Sequence, residues 1–323
     1  METESTDAAG GRSPLGTLPV LVCDHGLNPN NRQTAFAIGD QSLHTSVVPE
    51  LAGNHYHVTP HGWALLVAPG PSPRTRLWDP RSGQSVSLPA MEREPPEDWE
   101  CCLSDAPTTS PSCVVLVLHM KEPKFLYCRV GGSHWSAHEY DVGDVKLPPS
   151  YAPPRKIVIQ DAVGGRFYFN TGKLGVIDFS PAAMPELSFI DYPPPEFPMG
   201  SNCRREYMLE SRGELFSVYI CLKEFTPEIR SGPVEVDDLG DRVFLLSYSN
   251  AQLLCSASKY GVKGNCVYFF HNVMGDMDGE LLYIFDMDDK SLKTVRPCPE
   301  MAELLRSPFC MLPIDDQDST REY

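Results

Sequence analysis

The sequence predicts an all-β fold, a β-propeller of about six four-stranded blades, with seven blades as the alternative. The first observation is a recurring phrase, in which a short apolar strand meets a turn rich in Asp, Pro and Gly before a second strand begins. Its clearest copies lie at 77–89 and 283–297. The second is the Pro content: at 31 of 323 residues, Pro is about twice as frequent as the usual ~5% and divides the chain into short segments.

The spacing of the phrase sets the expected number of blades. Its markers, in chain order, are Asp40, Asp79, Arg129, Asp178, Glu224 and Asp286. Most of their separations fall near ~40–50 residues, a period that is typical of propeller blades when it contains several short strands. Six markers therefore indicate about six blades.

The predicted strands are short runs of β-branched and aromatic residues bounded by turn residues. In chain order, the clearest are 64–67, 114–118, 156–159, 166–169, 242–246, 266–270 and 281–285. A closed ring needs its two ends joined, so we expect a strand near 18–23 or 34–38 to share a blade with 281–285. The stretch 299–307 has a helical pattern.

Longer connections are predicted at 90–112, 143–154, 193–203 and around 273–279, and several are rich in Pro. Loops that a rigid scaffold displays are where binding residues concentrate. Residues 1–16 and 315–323 have polar and acidic compositions that bury too little apolar surface to fold. We therefore expect disordered tails at 1–16 and 315–323, with one propeller domain at 17–314.

The charge of the chain limits the partners it can bind. With 27 basic and 43 acidic residues, its formal net charge is −16. Nucleic acids and acidic membranes are bound by clustered Lys and Arg, so we expect neither as a partner. A basic protein partner is favoured electrostatically, and we expect the chain to be a monomer.

Cysteine usage indicates the compartment. The chain has 11 Cys, an odd number, and many lie within apolar strands, as Cys113 does. Such residues behave as buried free thiols, which fits a reducing compartment better than a secreted disulfide framework. Neither a signal peptide nor an apolar run of ~18 residues is present in the sequence. These features predict a cytoplasmic or nuclear protein.

His55, His57 and His61 are the strongest candidate metal ligands, because His is a common ligand of transition metals. However, no Cys, Asp or Glu lies among them to complete a site. Strand alternation places His55 and His57 on one face, with His61 beyond a turn. We predict no metal site here.

Four other groups are better interpreted as structural. They are the pair Cys101-Cys102, the acidic segment 276–280, the Ser256-Ala257-Ser258-Lys259 phrase, and Trp63, Trp78, Trp99 and Trp135. The pair lacks the C-x-x-C spacing, 276–280 lacks the later ligands of a calcium loop, and Ser256 lacks the partner motifs of acylating serine enzymes. We interpret the Trp residues as packing between blades. The sequence therefore predicts no catalytic residue, no metal site and no cofactor.

Two phrases in the last third of the chain are more specific. They are Leu239-Gly240-Asp241-Arg242 and Lys263-Gly264-Asn265-Cys266-Val267-Tyr268-Phe269, followed by Tyr283-Ile284-Phe285-Asp286. Together with Leu77-Trp78-Asp79-Pro80, they make about residues 17–314 resemble the KIB-type β-propeller domain of plants. That domain, long classed as one of unknown function, is associated with F-box proteins. The chain departs from the family in Gly232-Pro233-Val234, where relatives tend to have a Trp.

The resemblance implies a recognition role. The family often carries an F-box that docks the adaptor of a ubiquitin ligase, and we expect none here. The adaptor is therefore not expected to bind directly. We predict a non-catalytic protein-interaction module that resembles the substrate-recognition propeller of plant F-box proteins. The alternatives are a degenerate family member without a strong partner and a propeller enzyme.

Overall fold

The fold consists of β-sheets arranged in series along the chain. A computed structural model describes residues 19–26, 32–95, 99–108, 112–119, 122–141, 157, 159–163, 165–170, 173–180, 184–191, 204–211, 214–221, 226–231, 234–247, 253–271, 281–298 and 308–311. In this part of the chain, no helix is both long and apolar enough to cross a membrane.

Five of the sheets have four strands each, and we call them blades 1 to 5. Blade 1 contains β1 (Val20–Asp24), β2 (Arg32–Ala37), β3 (Leu43–Val47) and, from the far end of the chain, β25 (Phe309–Met311). Blade 2 contains β4 (His55–Val58), β5 (Ala64–Ala68), β6 (Arg74–Trp78) and β7 (Ser85–Ser87). Blade 3 contains β8 (Trp99–Leu103), β9 (Val114–His119), β10 (Lys124–Arg129) and β11 (Ser136–Glu139).

The remaining sheets complete the series. Blade 4 contains β12 (Ile159–Val163), β13 (Arg166–Asn170), β14 (Leu174–Asp178) and β15 (Glu186–Ile190). Blade 5 contains β16 (Arg204–Ser211), β17 (Glu214–Cys221), β18 (Thr226–Ser231) and β19 (Val234–Glu235). The last sheet has five strands: β20 (Arg242–Leu246), β21 (Leu253–Ser256), β22 (Cys266–His271), β23 (Leu281–Asp286) and β24 (Ser291–Val295). One short helix, α1 (Ala257–Tyr260), follows β21.

The β-propeller prediction is confirmed, but the predicted number of four-stranded blades was wrong. The described residues form five four-stranded blades rather than six or seven, and the other sheet has five strands. In that sheet β20 pairs in parallel with β22, while β21 folds back antiparallel on the other side of β20. The additional hairpin lengthens this part of the chain, which explains why the last marker separation, from Glu224 to Asp286, is the largest.

Apolar clusters fill the spaces between neighbouring sheets. They join blade 1 to 2, 2 to 3, 3 to 4, blade 5 to the five-stranded sheet, and the five-stranded sheet to blade 1. Facing members, in the same order, are Val22 and Leu66, Leu65 and Val115, Leu116 and Phe167, Phe216 and Phe244, and Leu245 and Leu21. Strands β12 and β16 bring blades 4 and 5 together. The sheets therefore form a closed ring.

The ring is closed by strand pairing within blade 1. Strand β1 pairs antiparallel with β25, with Leu21 opposite Cys310 and Val22 opposite Phe309. The prediction of an N-terminal strand near 18–23 in a shared blade was correct, but its partner is 309–311 and not 281–285. Residues 281–285 instead belong to β23, the partner of β22.

Most of the predicted strands match the structure. Of the strand predicted at 156–159, residues 156 and 158 lie outside the described residues, and β12 begins at Ile159. The loop predicted at 90–112 is wrong, since it contains β8, whose Cys101, Cys102 and Leu103 are buried. The loops predicted at 143–154, 193–203 and 273–279, the helix at 299–307 and both tails lie outside the described residues.

The thiols that the structure describes are buried and form no disulfide bonds with one another. They are Cys23, Cys101, Cys102, Cys113, Cys128, Cys255, Cys266, Cys298 and Cys310. Burial raises the pKa of Cys113, Cys128 and Cys310 to about 12. At neutral pH these groups are therefore protonated and poorly nucleophilic.

We predict that at most two of the 11 thiols react rapidly with a thiol reagent in the native protein at about pH 8, because nine are buried. All 11 react in guanidinium, which serves as the control. An unfolded thiol ionises near pH 8.5, whereas the folded ones retain their protons to about pH 12. The stabilisation from these thiols is therefore full below about pH 8.5 and falls above it. Rapid native labelling of four or more thiols would contradict the burial.

We also predict that a chain ending at residue 307 does not fold cooperatively, because it lacks β25. Phe309, Cys310 and Met311 are all buried, and a buried Phe or Met side chain contributes about 1.5–3 kcal/mol. The control is a chain ending at residue 314, which retains the strand. Thermal melting followed by circular dichroism distinguishes the two. Equal melting temperatures would show that the pairing of β1 with β25 is dispensable.

Candidate interaction groove

The recurring Asp residues stabilise turns. Asp40, Asp79, Asp178 and Asp286 each accept a hydrogen bond at Oδ1 from the backbone N–H two residues later, at 3.0, 3.0, 2.7 and 3.1 Å. This is the Asx-turn geometry. Three of these turns join the third strand of a blade to its fourth, counting in sheet order, in which β25 is the first strand of blade 1. The turn at Asp286 joins β23 to β24. These carboxylates are therefore structural groups and not paired catalytic acids.

The other two markers differ. Arg129 donates hydrogen bonds from its guanidinium to the carbonyl of Ser112 at 3.3 Å and of Phe179 at 2.8 Å, and so links blade 3 to the turn of blade 4. Glu224 lies between β17 and β18, outside the described residues. It is therefore not equivalent to the Asp residues, which lie after the third strand.

The two specific phrases meet at one end of the five-stranded sheet. Asn265 is buried with a φ of 54°; its Oδ1 accepts from the Leu239 N–H at 2.8 Å, and its Nδ2 donates to Asp288 at 2.7 Å. A side chain at Gly264 would place its Cβ 2.9 Å from the Gly240 carbonyl. These contacts give the two phrases a structural role.

A lysine of the second phrase reaches the following turn. The Lys263 ammonium contacts the Asp286 carboxylate, and this hydrogen bond raises the pKa of Lys263. Asp286 is itself the residue that stabilises the turn between β23 and β24. The second phrase is therefore tied to this turn by a side-chain contact.

The Ser256 phrase forms part of the same structure. Asp241 accepts from the hydroxyls of Ser256 and Ser258 and from the Ser258 backbone N–H. The Lys259 ammonium lies 5.4 Å from the Tyr260 ring centre. A helix does begin after Ser256, which the sequence did not predict, but the Ser256 hydroxyl is held by a carboxylate.

The remaining sequence candidates are dispersed. His55 is exposed, and the His57 ring lies 5.7 Å from that of Trp99. Cys101 belongs to the cluster facing blade 2, whereas Cys102 belongs to the cluster facing blade 4. All four Trp residues pack in clusters between blades. Within the described residues, no group of three His, Cys, Asp or Glu could hold a metal ion. Segment 276–280 lies outside them.

A groove lies between blade 3 and the connection that arrives from blade 2. Its volume is about 210 Å³. It is lined by Arg93, Glu94 and Pro95 from the connection and by Val117, His119, Glu122, Lys124, Phe125 and Leu126 from β9, β10 and their hairpin. Val117 and Leu126, which pair in register and pack in the cluster between blades 2 and 3, form an apolar floor.

The connection is fixed along blade 2 by hydrogen bonds. The Pro89 carbonyl accepts from the Thr75 hydroxyl at 2.6 Å and from the Trp135 indole N–H at 2.8 Å. Met91 is buried in the cluster between blades 2 and 3 and donates its N–H to the Pro73 carbonyl at 2.9 Å. Glu94 accepts from the Gly70 N–H at 3.1 Å. This wall of the groove is therefore held in place without any ligand.

The opposite wall carries both signs of charge. His119 Nδ1 accepts from the Glu122 N–H at 3.0 Å, so a neutral ring carries its proton on Nε2, which lies 3.9 Å from the Glu122 carboxylate. Lys124 contacts the same carboxylate, and this hydrogen bond lowers the pKa of Glu122. On the rim, two cations, Lys124 and Arg93 of the facing connection, therefore lie around the Glu122 carboxylate.

The sequence did not predict this groove. Its connection was expected to be part of a loop at 90–112, and His119, Glu122 and Lys124 match no motif. The available signal was four ionisable residues within the six positions 119–124, between two strongly apolar strands. The facing segment, 93–95, can be assigned to the groove only once the packing of blades 2 and 3 is known.

A model of the family described as KIB1-4 beta-propeller matches residues 35–293. A comparison with curated proteins gives no match. Among solved structures, a functionally unknown protein from Desulfotomaculum acetoxidans DSM 771 is similar at 11% identity and a TM-score of 0.37, over 93% of this chain and 91% of that one. That similarity is too low to inform function.

We predict that Asn265→Ala lowers the free energy of unfolding by about 2–4 kcal/mol. The substitution leaves the buried Leu239 N–H without its acceptor and places a β-carbon without a compensating side chain at positive φ. The matched control is Asn265→Gly, which loses the same hydrogen bonds but tolerates the backbone, so its cost should be about 1 kcal/mol smaller. Urea unfolding measures both. A neutral Asn265→Ala would contradict the structural role.

Proposed function

The chain belongs to the KIB1-4 β-propeller family, and we propose that it is a non-catalytic protein-interaction module that receives a protein ligand in the groove between blades 2 and 3. The observation that carries the proposal is the combination of an apolar floor with a rim of both charges. Interfaces on proteins commonly combine a buried apolar centre with a polar rim.

The size of the groove supports a macromolecular ligand. Sites for drug-sized molecules are usually clefts of about 300–1,000 Å³, whereas this groove has about 210 Å³. It accommodates one or two side chains of a partner whose remaining contacts lie outside it. The wall formed by the connection is positioned by its own hydrogen bonds, so a partner would meet a preformed site at little cost in ordering.

The state of Glu122 argues against catalysis. A general acid or base works best with a pKa near the operating pH. Lys124 instead lowers the pKa of Glu122, which is therefore a weakly basic anion at neutral pH. Glu94, the other carboxylate of the groove, accepts a backbone hydrogen bond. The two acids thus serve recognition better than proton transfer.

The proposal also covers the kind of partner, the oligomeric state and the cellular compartment. A net charge of −16 favours a basic protein over nucleic acid and opposes self-association, so we take the chain to be a monomer. Nine buried cysteines outside any disulfide suit a reducing compartment, such as the cytoplasm or nucleus. By its resemblance, the module relates to the substrate-recognition propellers of plant F-box proteins, without direct binding of the ligase adaptor.

We predict that affinity purification of the tagged chain from plant cells recovers protein partners whose binding is weakened at least about tenfold by Arg93→Glu. This substitution reverses a cation of the groove and should fold normally, because Arg93 is exposed. Quantitative mass spectrometry of the eluates measures the loss.

Arg296→Glu makes the same change in net charge at an exposed position just after β24 and should keep the partners. Equal loss of partners in both variants would indicate a general charge effect and contradict the groove proposal. Stoichiometric recovery of the ligase adaptor would contradict the partner prediction. Turnover of a small molecule by the purified protein would contradict the non-catalytic one.

A further inference from the structure

The outer edge of blade 4 is open to pairing with another strand. Among the described strands, β15 pairs only with β14, so its other side presents backbone N–H and C=O groups. Such an edge can pair with another strand unless it is short or carries charged residues, especially Lys. The edge strand β24 carries Lys293, and β11, β7 and β19 have only four, three and two residues. Strand β15 has five residues and no Lys.

Exposed apolar side chains concentrate at this edge. Ile190 is 51% exposed, Met184 63% and Phe189 38%. Phe189 is also held in position: it lies opposite Gly175, where a β-carbon would collide with the Phe169 ring. Phe169 therefore lies over Gly175 and meets Phe189 edge to face, with ring centres 5.9 Å apart. The edge thus displays a supported aromatic residue and an aliphatic one.

The edge strand of blade 1 is the natural comparison. Strand β3 also has five residues and no Lys, and it exposes Leu43 and Val47. However, β3 contains no aromatic residue, and no acidic residue lies within it or directly beside its ends. It therefore shares the open backbone of β15 but lacks its aromatic and acidic side chains.

Charge indicates what kind of strand fits β15. Residues 174–203 contain no Lys or Arg but four acidic residues: Asp178, Glu186, Asp191 and Glu196. Exposed Glu186 begins β15, and Asp191 follows its end. Cations from outside this stretch reach two of the acids: Lys173 is bridged to Asp191 at 2.8 Å, and Arg166 to Asp178 at 2.7 Å. Among the described residues, Glu186 is therefore the acid of this stretch whose charge is not balanced by either of these cations, and it lies at the start of an otherwise apolar edge.

A second copy of the chain fits poorly. Two β15 strands paired antiparallel about Ser188 would bring Glu186 of one copy next to Ile190 and Asp191 of the other. Each copy also carries a net charge of −16, and like charges that meet across an interface oppose association.

We propose that the β15 edge binds an extended apolar segment of another protein that is flanked by Lys or Arg, by adding it as a fifth strand to blade 4. Backbone hydrogen bonds supply affinity in this mode of recognition, while side-chain contacts supply specificity. Phe189 meets side chains of the segment on one face of the sheet and Ile190 meets those on the other, while Glu186 meets a basic end. This surface is separate from the groove and does not depend on it.

The test uses the full chain and a fluorescein-labelled peptide of alternating Val and Thr flanked by Lys pairs, with fluorescence anisotropy as the readout. A second peptide has Glu in place of each Lys. We expect the Lys-flanked peptide to bind, the Glu-flanked one not to bind, and binding to weaken between about 50 mM and about 500 mM salt. Equal binding of the two peptides would overturn the proposal.

Two matched variants locate the site. Ile190→Lys should weaken binding by about tenfold or more. A Lys on an edge strand discourages strand pairing, and its positive charge repels the basic ends of the peptide. Leu43→Lys makes the same change on β3, at 49% exposure, and should leave binding unchanged. Equal weakening by both variants would refute the assignment to β15. Both positions are largely exposed, so folding is preserved.

Sedimentation velocity of the free chain tests the second copy as occupant. A concentration-dependent dimer that Ile190→Lys abolishes would overturn the proposal in favour of self-association. Arg93→Glu should leave peptide binding intact. If that variant loses cellular partners while the peptide still binds, both sites are supported. If the partners are kept, the groove proposal fails. If the peptide does not bind the unsubstituted chain, the β15 proposal fails.

Discussion

The inner strands of this ring are buried on both faces, and the rest of the structure depends on that double burial. In β1, Leu21 and Cys23 pack toward the five-stranded sheet, while Val20 and Val22 pack toward blade 2. Strand β9 is used in the same way between blades 2 and 4. No sheet can bury its apolar residues alone, because each face is completed by a neighbour. The ring must therefore close, and the pairing of β1 with β25 closes it.

This constraint explains which parts of the fold could be predicted. Runs such as 114–118 and 242–246 are continuously apolar because both of their faces are buried, so they were recognisable as strands. The turns were recognisable because Asp binds the backbone two residues later. In contrast, β8 begins with Trp99 and Glu100 and contains two Cys, a composition that does not distinguish an inner strand from a loop. The closing strand was missed because 309–311 is very short, and its partner is nearly the whole chain away.

The candidate groove could not be predicted, because it depends on packing between blades. Its floor, Val117 and Leu126, is visible in the sequence only as core, and its second wall is fixed by a Trp135 hydrogen bond that joins blades 3 and 2. The family phrases, by contrast, were visible and proved structural. Residues such as Asn265 and Asp241 hold an irregular sheet together, so in this chain those phrases serve the architecture. The surfaces that bind must be sought where such structural demands are weakest, at the groove rim and the outer strand edges.

The closing strand also has a consequence for biosynthesis. Strands β1 to β3 leave the ribosome first, but β25, which completes their sheet, follows only after every other strand has been made. At about 5–20 residues per second, blade 1 waits roughly 15–60 s with one edge of β1 open. During that interval the apolar strand Val20–Asp24 can pair with the wrong edge, since open edges are templates for aggregation. A ribosome that stalls before residue 309 therefore releases a chain that lacks the strand that closes the ring.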